Sequence, residues 1–135
     1  MSNENHFYSV SRIAIKGLLD KKQVLRGQLI RHLAPLTISQ LLRAFPLQGA
    51  VHYNLDVFCY IQTQLDIGQE KPKKKFSKGD ITLMTSSGSM CFFLKDASVS
   101  YSMNLIGKIT STIEVLTNLR PIDSLTIQTE IEETS

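Results

Sequence analysis

The chain has 135 residues, 42% of them hydrophobic and 20% charged, with only four prolines. At this length folding buries roughly two-thirds of the unfolded chain's surface, enough for one hydrophobic core without staples, and the composition excludes disordered and fibrous classes. The formal charge of +3 is unevenly placed: residues 1–80 hold 12 basic and 6 acidic side chains and the remainder 3 and 6, so an anionic partner or a second copy of the chain is a candidate for association.

The opening MSNENHFYSV has neither the basic nor the apolar region of a signal peptide, and no apolar run approaches the roughly 20 residues that cross a bilayer. The expectation is one cytoplasmic, non-membrane domain over residues 1–135, with flexible ends at 1–9 and 132–135. From Arg12 to Leu19, Ile13 and Ile15 alternate with polar or small residues, the period of a half-buried strand. Asp20-Lys21-Lys22 supplies a turn, and alternation resumes from Val24 to Leu33, which predicts an antiparallel hairpin. PLTISQLLRAF then changes period: Ile38, Leu41, Leu42 and Phe45 share a helical face, and Pro35 sits in the first turn, where its missing N–H is harmless. This amphipathic helix, Pro35–Phe45, is expected to cap the end of a sheet or barrel.

VHYNLDVFCYIQTQLDI is long enough for two strands, or for one bent near Asn54. GQEKPKKKFSK reads as a loop, ITLM and MCFFL as a hairpin around TSSGS, KDASVSYS as a second loop and MNLIGKI as a further strand. Ser111 followed by Glu114 has capping-box spacing and predicts a short helix in STIEVLTNL. LTIQTEIE is a last strand. The only cysteines, Cys59 and Cys91, lie in apolar runs and are expected as free buried thiols. Seven or eight short antiparallel strands favour a mainly β, closed barrel over an open sheet.

Several of these pieces carry a family resemblance. Gly79-Asp80-Ile81 opens a hairpin whose return strand holds Cys91-Phe92-Phe93, followed by Asn104-Leu105-Ile106-Gly107-Lys108-Ile109. With the order strand, strand, helix, strand pair before them, they resemble the small uncharacterised prokaryotic proteins that share the cyclophilin barrel, from about Ile13 to the C-terminus. In that family an aromatic-Gly-Asp-Glu-Ile-Tyr pattern leads the strand after the helix; here Tyr53-Asn54-Leu55-Asp56-Val57-Phe58 stands in its place. The family's Trp-Pro-Pro-type turn is here Met84-Thr85-Ser86. The resemblance implies a closed antiparallel cyclophilin-like barrel of about eight strands, capped by the amphipathic helix and carrying a second short helix.

True cyclophilins rotate the Xaa-Pro bond, whose barrier of roughly 18–20 kcal/mol comes from amide resonance. They need a cation or strong donor near the prolyl nitrogen. The resemblance places an arginine on the strand after the helix, but no arginine occurs between Arg43 and Arg120, so whether the protein is an enzyme stays open. The leading expectation is a barrel that binds a small molecule or an extended, proline-containing peptide in a cleft beside strand 50–62. Prolyl isomerisation, and a non-enzymatic scaffold acting through the basic loop 71–78, are the alternatives.

The candidate pocket is lined by Tyr53, Phe58, Tyr60, Met84, Met90 and Phe92, with Asp56, Gln62 and Asn104 for polarity; strand alternation sends part of this set into the core. His6, His32 and His52 share no ligand spacing with each other or with the cysteines, so neither a metal nor a cofactor is expected. Lys71, Lys73, Lys74, Lys75 and Lys78 flank Phe76, but between Glu70 and Asp80 they read as a solvated loop rather than a nucleic-acid surface.

Overall fold

The predicted hairpin of β1 (Arg12–Leu19) and β2 (Lys22–Ile30) is present. Asp20 and Lys21 both adopt positive φ, 51° and 67°, the left-handed pair whose twist matches that of the strands it joins. In this computed structural model, which describes residues 11–120 and 123–130, the expected flexible ends fall outside the described residues. Arg31–Leu33, expected as the end of β2, forms a single 3-10 turn. Helix α1 (Pro35–Ala44) follows with Pro35 in its first turn and Ile38 and Leu41 fully buried.

The remaining elements are β3 (Leu47–Ala50), β4 (His52–Asn54), β5 (Phe58–Gln62), β6 (Lys73–Phe76), β7 (Asp80–Met84), β8 (Ser89–Phe93), β9 (Ala97–Ile109), α2 (Glu114–Thr117) and β10 (Ser124–Thr129). The fold is mainly β and antiparallel, as expected. The expectation of a closed barrel of about eight strands is corrected: among the described residues ten strands form one sheet that does not close. Its path runs β3-β10-β1-β2-β9-β7-β8-β5-β4, with β6 attached to β9.

The two ends of that path, β3 and β4, are neighbours in the chain. At Val51 the chain leaves β10, donating its N–H to Asp123 O (2.9 Å), and continues into β4 beside β5. One run of residues therefore serves both sheet edges, so the sheet curls until its ends meet without a closing ladder between β3 and β5. The two strands nevertheless abut: a Cβ on Gly49 would lie 3.2 Å from Gln62 O and 3.4 Å from Ile61 Cβ.

Two segments expected to be loops are strands instead, one lengthening an expected strand and one adding a new one. KDASVSYS is largely the first half of β9, because Ala97, Val99 and Tyr101 alternate inward against a second apolar cluster. The lysine-rich segment becomes β6 because Phe76 buries there while Lys73, Lys74 and Lys75 stay exposed. Lysines on such an edge discourage pairing with other chains. The second helix is shorter than expected and has no capping box: Ser111 Oγ instead accepts the Arg26 N–H (3.0 Å), and the Glu114 N–H goes to Thr112 Oγ1 (3.3 Å).

Strands β5 and β8 bury both faces. Cys59, Ile61, Met90 and Phe92 join the main core with Leu29, Ile38, Leu41 and Ile106. Phe58, Cys91 and Phe93, with Met103 and Phe76, form a second cluster on the outer face, covered by β6 and the first half of β9. Each fully buried large side chain contributes about 1.5–3 kcal/mol. The outer cluster thus packs β6 and the first half of β9 against the outer side of β5 and β8.

Candidate functional site

The nine predicted pocket residues do not converge. Met90 and Phe92 point into the main core and Phe58 into the outer cluster, each with 0% exposure. Tyr53 also packs inward, and its hydroxyl donates to Leu116 O and accepts the Leu119 N–H (3.1 Å), tying α2 to β4. Burial raises its pKa. Asp56 lies on the β4–β5 turn and pairs with Lys95 (2.9 Å), whose ammonium holds the carboxyl below its usual range. Both partners are largely exposed, so the pair adds little stability.

Asn104 is fully buried in a polar network. Its Nδ2 donates to Thr37 Oγ1 (2.9 Å) and Gly68 O (3.0 Å), and its Oδ1 accepts the Glu70 N–H (2.9 Å). Glu70, absent from the predicted set, performs a task its neighbourhood in sequence does not reveal. Ala34, at the N-cap of α1, offers no side-chain oxygen. The Glu70 carboxylate takes that place, accepting the N–H groups of Leu36 (3.0 Å) and Thr37 (2.8 Å) and the Thr37 hydroxyl (2.9 Å). Desolvation raises the Glu70 pKa, but these donors outweigh it and the net shift is downward. A carboxylate is also favoured there by the helix dipole.

The remaining three residues, Tyr60, Gln62 and Met84, share the outer face with Phe58. Tyr60 and Gln62 alternate with the inward Cys59 and Ile61 along β5, and Met84 stands beyond Ser89, the partner of Gln62. Tyr60 and Met84 are half-buried and Gln62 is exposed. His52, its cross-strand partner, stacks on Tyr60 with ring centroids 5.3 Å apart and planes inclined by 26°. Tyr101 meets Phe58 edge-on at 6.5 Å, and its hydroxyl accepts a bond from Asn54 Nδ2 (2.6 Å). The accessible rim of the outer cluster is therefore aromatic and thioether-bearing, with amide and imidazole groups beside it.

Sequence reasoning missed Tyr101 because its segment was read as a loop, although the alternation of Ala97, Val99, Tyr101 and Met103 was a strand signal. Cys59 and Cys91 are free and buried, and burial pushes both thiols up to about 12, so neither is a nucleophile at neutral pH. Among the described residues no group of three or more His, Cys, Asp or Glu side chains is placed to hold a metal ion, and no helix is long and apolar enough to cross a membrane. The basic residues Lys73 and Lys75 line a shallow cleft of about 520 Å³ that also contains Asp96.

No curated protein matches the sequence. Among solved structures, the solution structure of a hypothetical protein from Archaeoglobus fulgidus is similar, with a TM-score of 0.73 and 19% identity over 89% of this chain and 96% of that one. At that identity the likeness speaks for the fold. The model of the cyclophilin-like family matches residues 34–130, from the start of α1 to the end of β10, and the chain belongs to that family.

Proposed function

We propose that the protein binds a small apolar molecule or an extended, proline-containing peptide on the outer face of β5, at the surface formed by His52, Tyr60, Gln62 and Met84. The observation that carries this reading is the stacked His52–Tyr60 pair at the rim of an apolar cluster, on a sheet face that would otherwise turn polar groups to water. Aromatic faces supply large contact area with few rotors to freeze, and Met84 adds a deformable thioether. Gln62 and His52 supply hydrogen bonds that orient a bound amide. Strands β4 to β9 contain no arginine, so this reading is of binding rather than isomerisation.

Titration of labelled protein with a blocked Ala-Pro dipeptide series, followed by NMR, tests it. Shifts at Tyr60, His52 and Met84, weakened at least tenfold by Tyr60→Ala in a folded protein, are expected, with cis/trans exchange of the peptide at its uncatalysed rate. Absence of any shift at these residues refutes the binding site, and accelerated exchange shows that the protein is an isomerase.

A further inference from the structure

A different surface lies where β3 ends the sheet. Because β3 ends the hydrogen-bonded path and shares no ladder with β5, the seam between them closes by packing alone; at Gly49 an added Cβ would lie 3.2 Å from Gln62 O and 3.4 Å from Ile61 Cβ. Beyond that point the seam widens into a wedge of about 330 Å³, bounded by Pro46, Leu47 and Gln48 on one side and Gln62, Gln64 and Leu65 on the other. That volume lies at the small end of the range for ligand sites.

The chemistry of this wedge differs from that of its neighbours. Three other surface clefts contain Arg26 and Glu130, Lys73, Lys75 and Asp96, or Lys78 and Glu114. The wedge has no ionisable side chain in its lining. It offers three side-chain amides, groups that donate and accept as the peptide group does; Gln48 already donates one N–H from Nε2 to Ser124 Oγ (3.0 Å) and keeps its second N–H and its Oε1 for a ligand. One wall is a terminal strand, and a terminal strand leaves alternate backbone N–H and C=O groups without a strand partner. Pro46, Leu47 and Leu65 add apolar lining.

The facing wall is braced. Thr63 donates its N–H to Gly88 O (3.0 Å), and its hydroxyl accepts the Leu65 N–H (3.1 Å), so residues 63–65 are anchored to the β7–β8 turn. The wall is preorganised, which lowers the entropy a ligand must forfeit on binding.

We infer that the open seam between β3 and residues 62–65 receives a short, uncharged peptide segment in extended form, paired to the free edge of β3 by strand addition and held by Gln48, Gln62 and Gln64. The occupant is neutral because no side chain in the wedge compensates a charge, and it is a peptide because both walls present amide chemistry. Binding here does not depend on the outer face of β5.

The test uses the full chain and the blocked peptide Ac-Thr-Val-Thr-Val-Thr-NH2, with its N-methylated counterpart and a lysine-containing counterpart as controls. The expected result is backbone amide shifts at Leu47, Gln48, Gln64 and Leu65 and slowed amide exchange in β3. N-methylation should weaken binding at least tenfold, as should the double substitution Gln48→Ala with Gln64→Ala. Both positions are exposed, so the variant is expected to remain folded, and an unchanged thermal midpoint verifies this. Equal affinity for the N-methylated peptide, preference for the lysine peptide, shifts confined to Tyr60 and His52, or concentration-dependent pairing of two copies through β3 without peptide uptake would each overturn the inference.

Discussion

Replacing Gly107 by alanine places a methyl carbon 2.1 Å from the carbonyl oxygen of Gln28, within a ladder that β9 shares with β2 over Gly27–Leu29. A Cβ does not sit within 3.0 Å of backbone, so the two strands must part by about 1 Å, which lengthens ladder bonds of roughly 2.9 Å beyond useful range. The β2–β9 ladder is the link in the sheet path between β3-β10-β1-β2 and β9-β7-β8-β5-β4. Loss of two or three backbone bonds at about 1 kcal/mol each, with overpacking strain of about 1–3 kcal/mol, gives a destabilisation of about 3–6 kcal/mol. That is a large share of the 5–15 kcal/mol typical of a domain.

Urea unfolding followed by circular dichroism measures this directly, and the thermal midpoint should drop by on the order of 10–20 °C. Gly68→Ala is the matched control: no atom lies within 4 Å of its added Cβ and its φ is not positive, so it should change stability by less than about 1 kcal/mol. A Gly107→Ala protein within 1 kcal/mol of the parent refutes the reasoning, because the close crossing would then be dispensable.

Glu70→Ala removes the carboxylate that caps α1 and should cost about 1–2 kcal/mol, read from the urea midpoint. The folded pKa of Glu70 lies below its ordinary value of 4.5, so its contribution is complete above that pH and is lost as pH falls through the folded value. Acidification below pH 4.5 should therefore erode the parent's stability more than that of Glu70→Gln, in which the difference is already absent; parallel pH profiles would contradict this. Gly88→Ala combines a φ of +67° with a Cβ 2.6 Å from Leu65 O and should cost about 2–4 kcal/mol, with the largest amide shifts at residues 63–65. Both thiols should resist Ellman's reagent at pH 8 in the native protein and react fully in denaturant, since burial holds them near 12; rapid native labelling of either would show that the strands around it open.

Much of the candidate site was not legible because its residues were known by type but not by face. The nine predicted residues were chosen as aromatic, thioether and polar side chains on strands. Cys91↔Tyr60 and Phe92↔Cys59 pairing decides that Tyr60 faces outward and Phe92 inward, and nothing local distinguishes the two when both faces of β5 and β8 are apolar. Asn104 looked available to a ligand, but both of its amide hydrogens are taken by Thr37 and Gly68, residues more than thirty positions away.

What the sequence by itself determined are the β1–β2 hairpin and helix α1 with its Pro35 start, elements with one wet face whose polar residues report the period, and the β7–β8 hairpin, which is buried on both faces and legible through its turn residues alone. Only the tertiary structure decided the rest. A lysine-rich run becomes β6 only because β9 lies beside it, and the run from Leu47 to Asn54 splits between two sheet edges because β10 claims one half and β5 the other. Strand pairing is a long-range bond between segments, so the open seam, the outer cluster and the cap that Glu70 gives α1 exist only once distant parts of the chain have met.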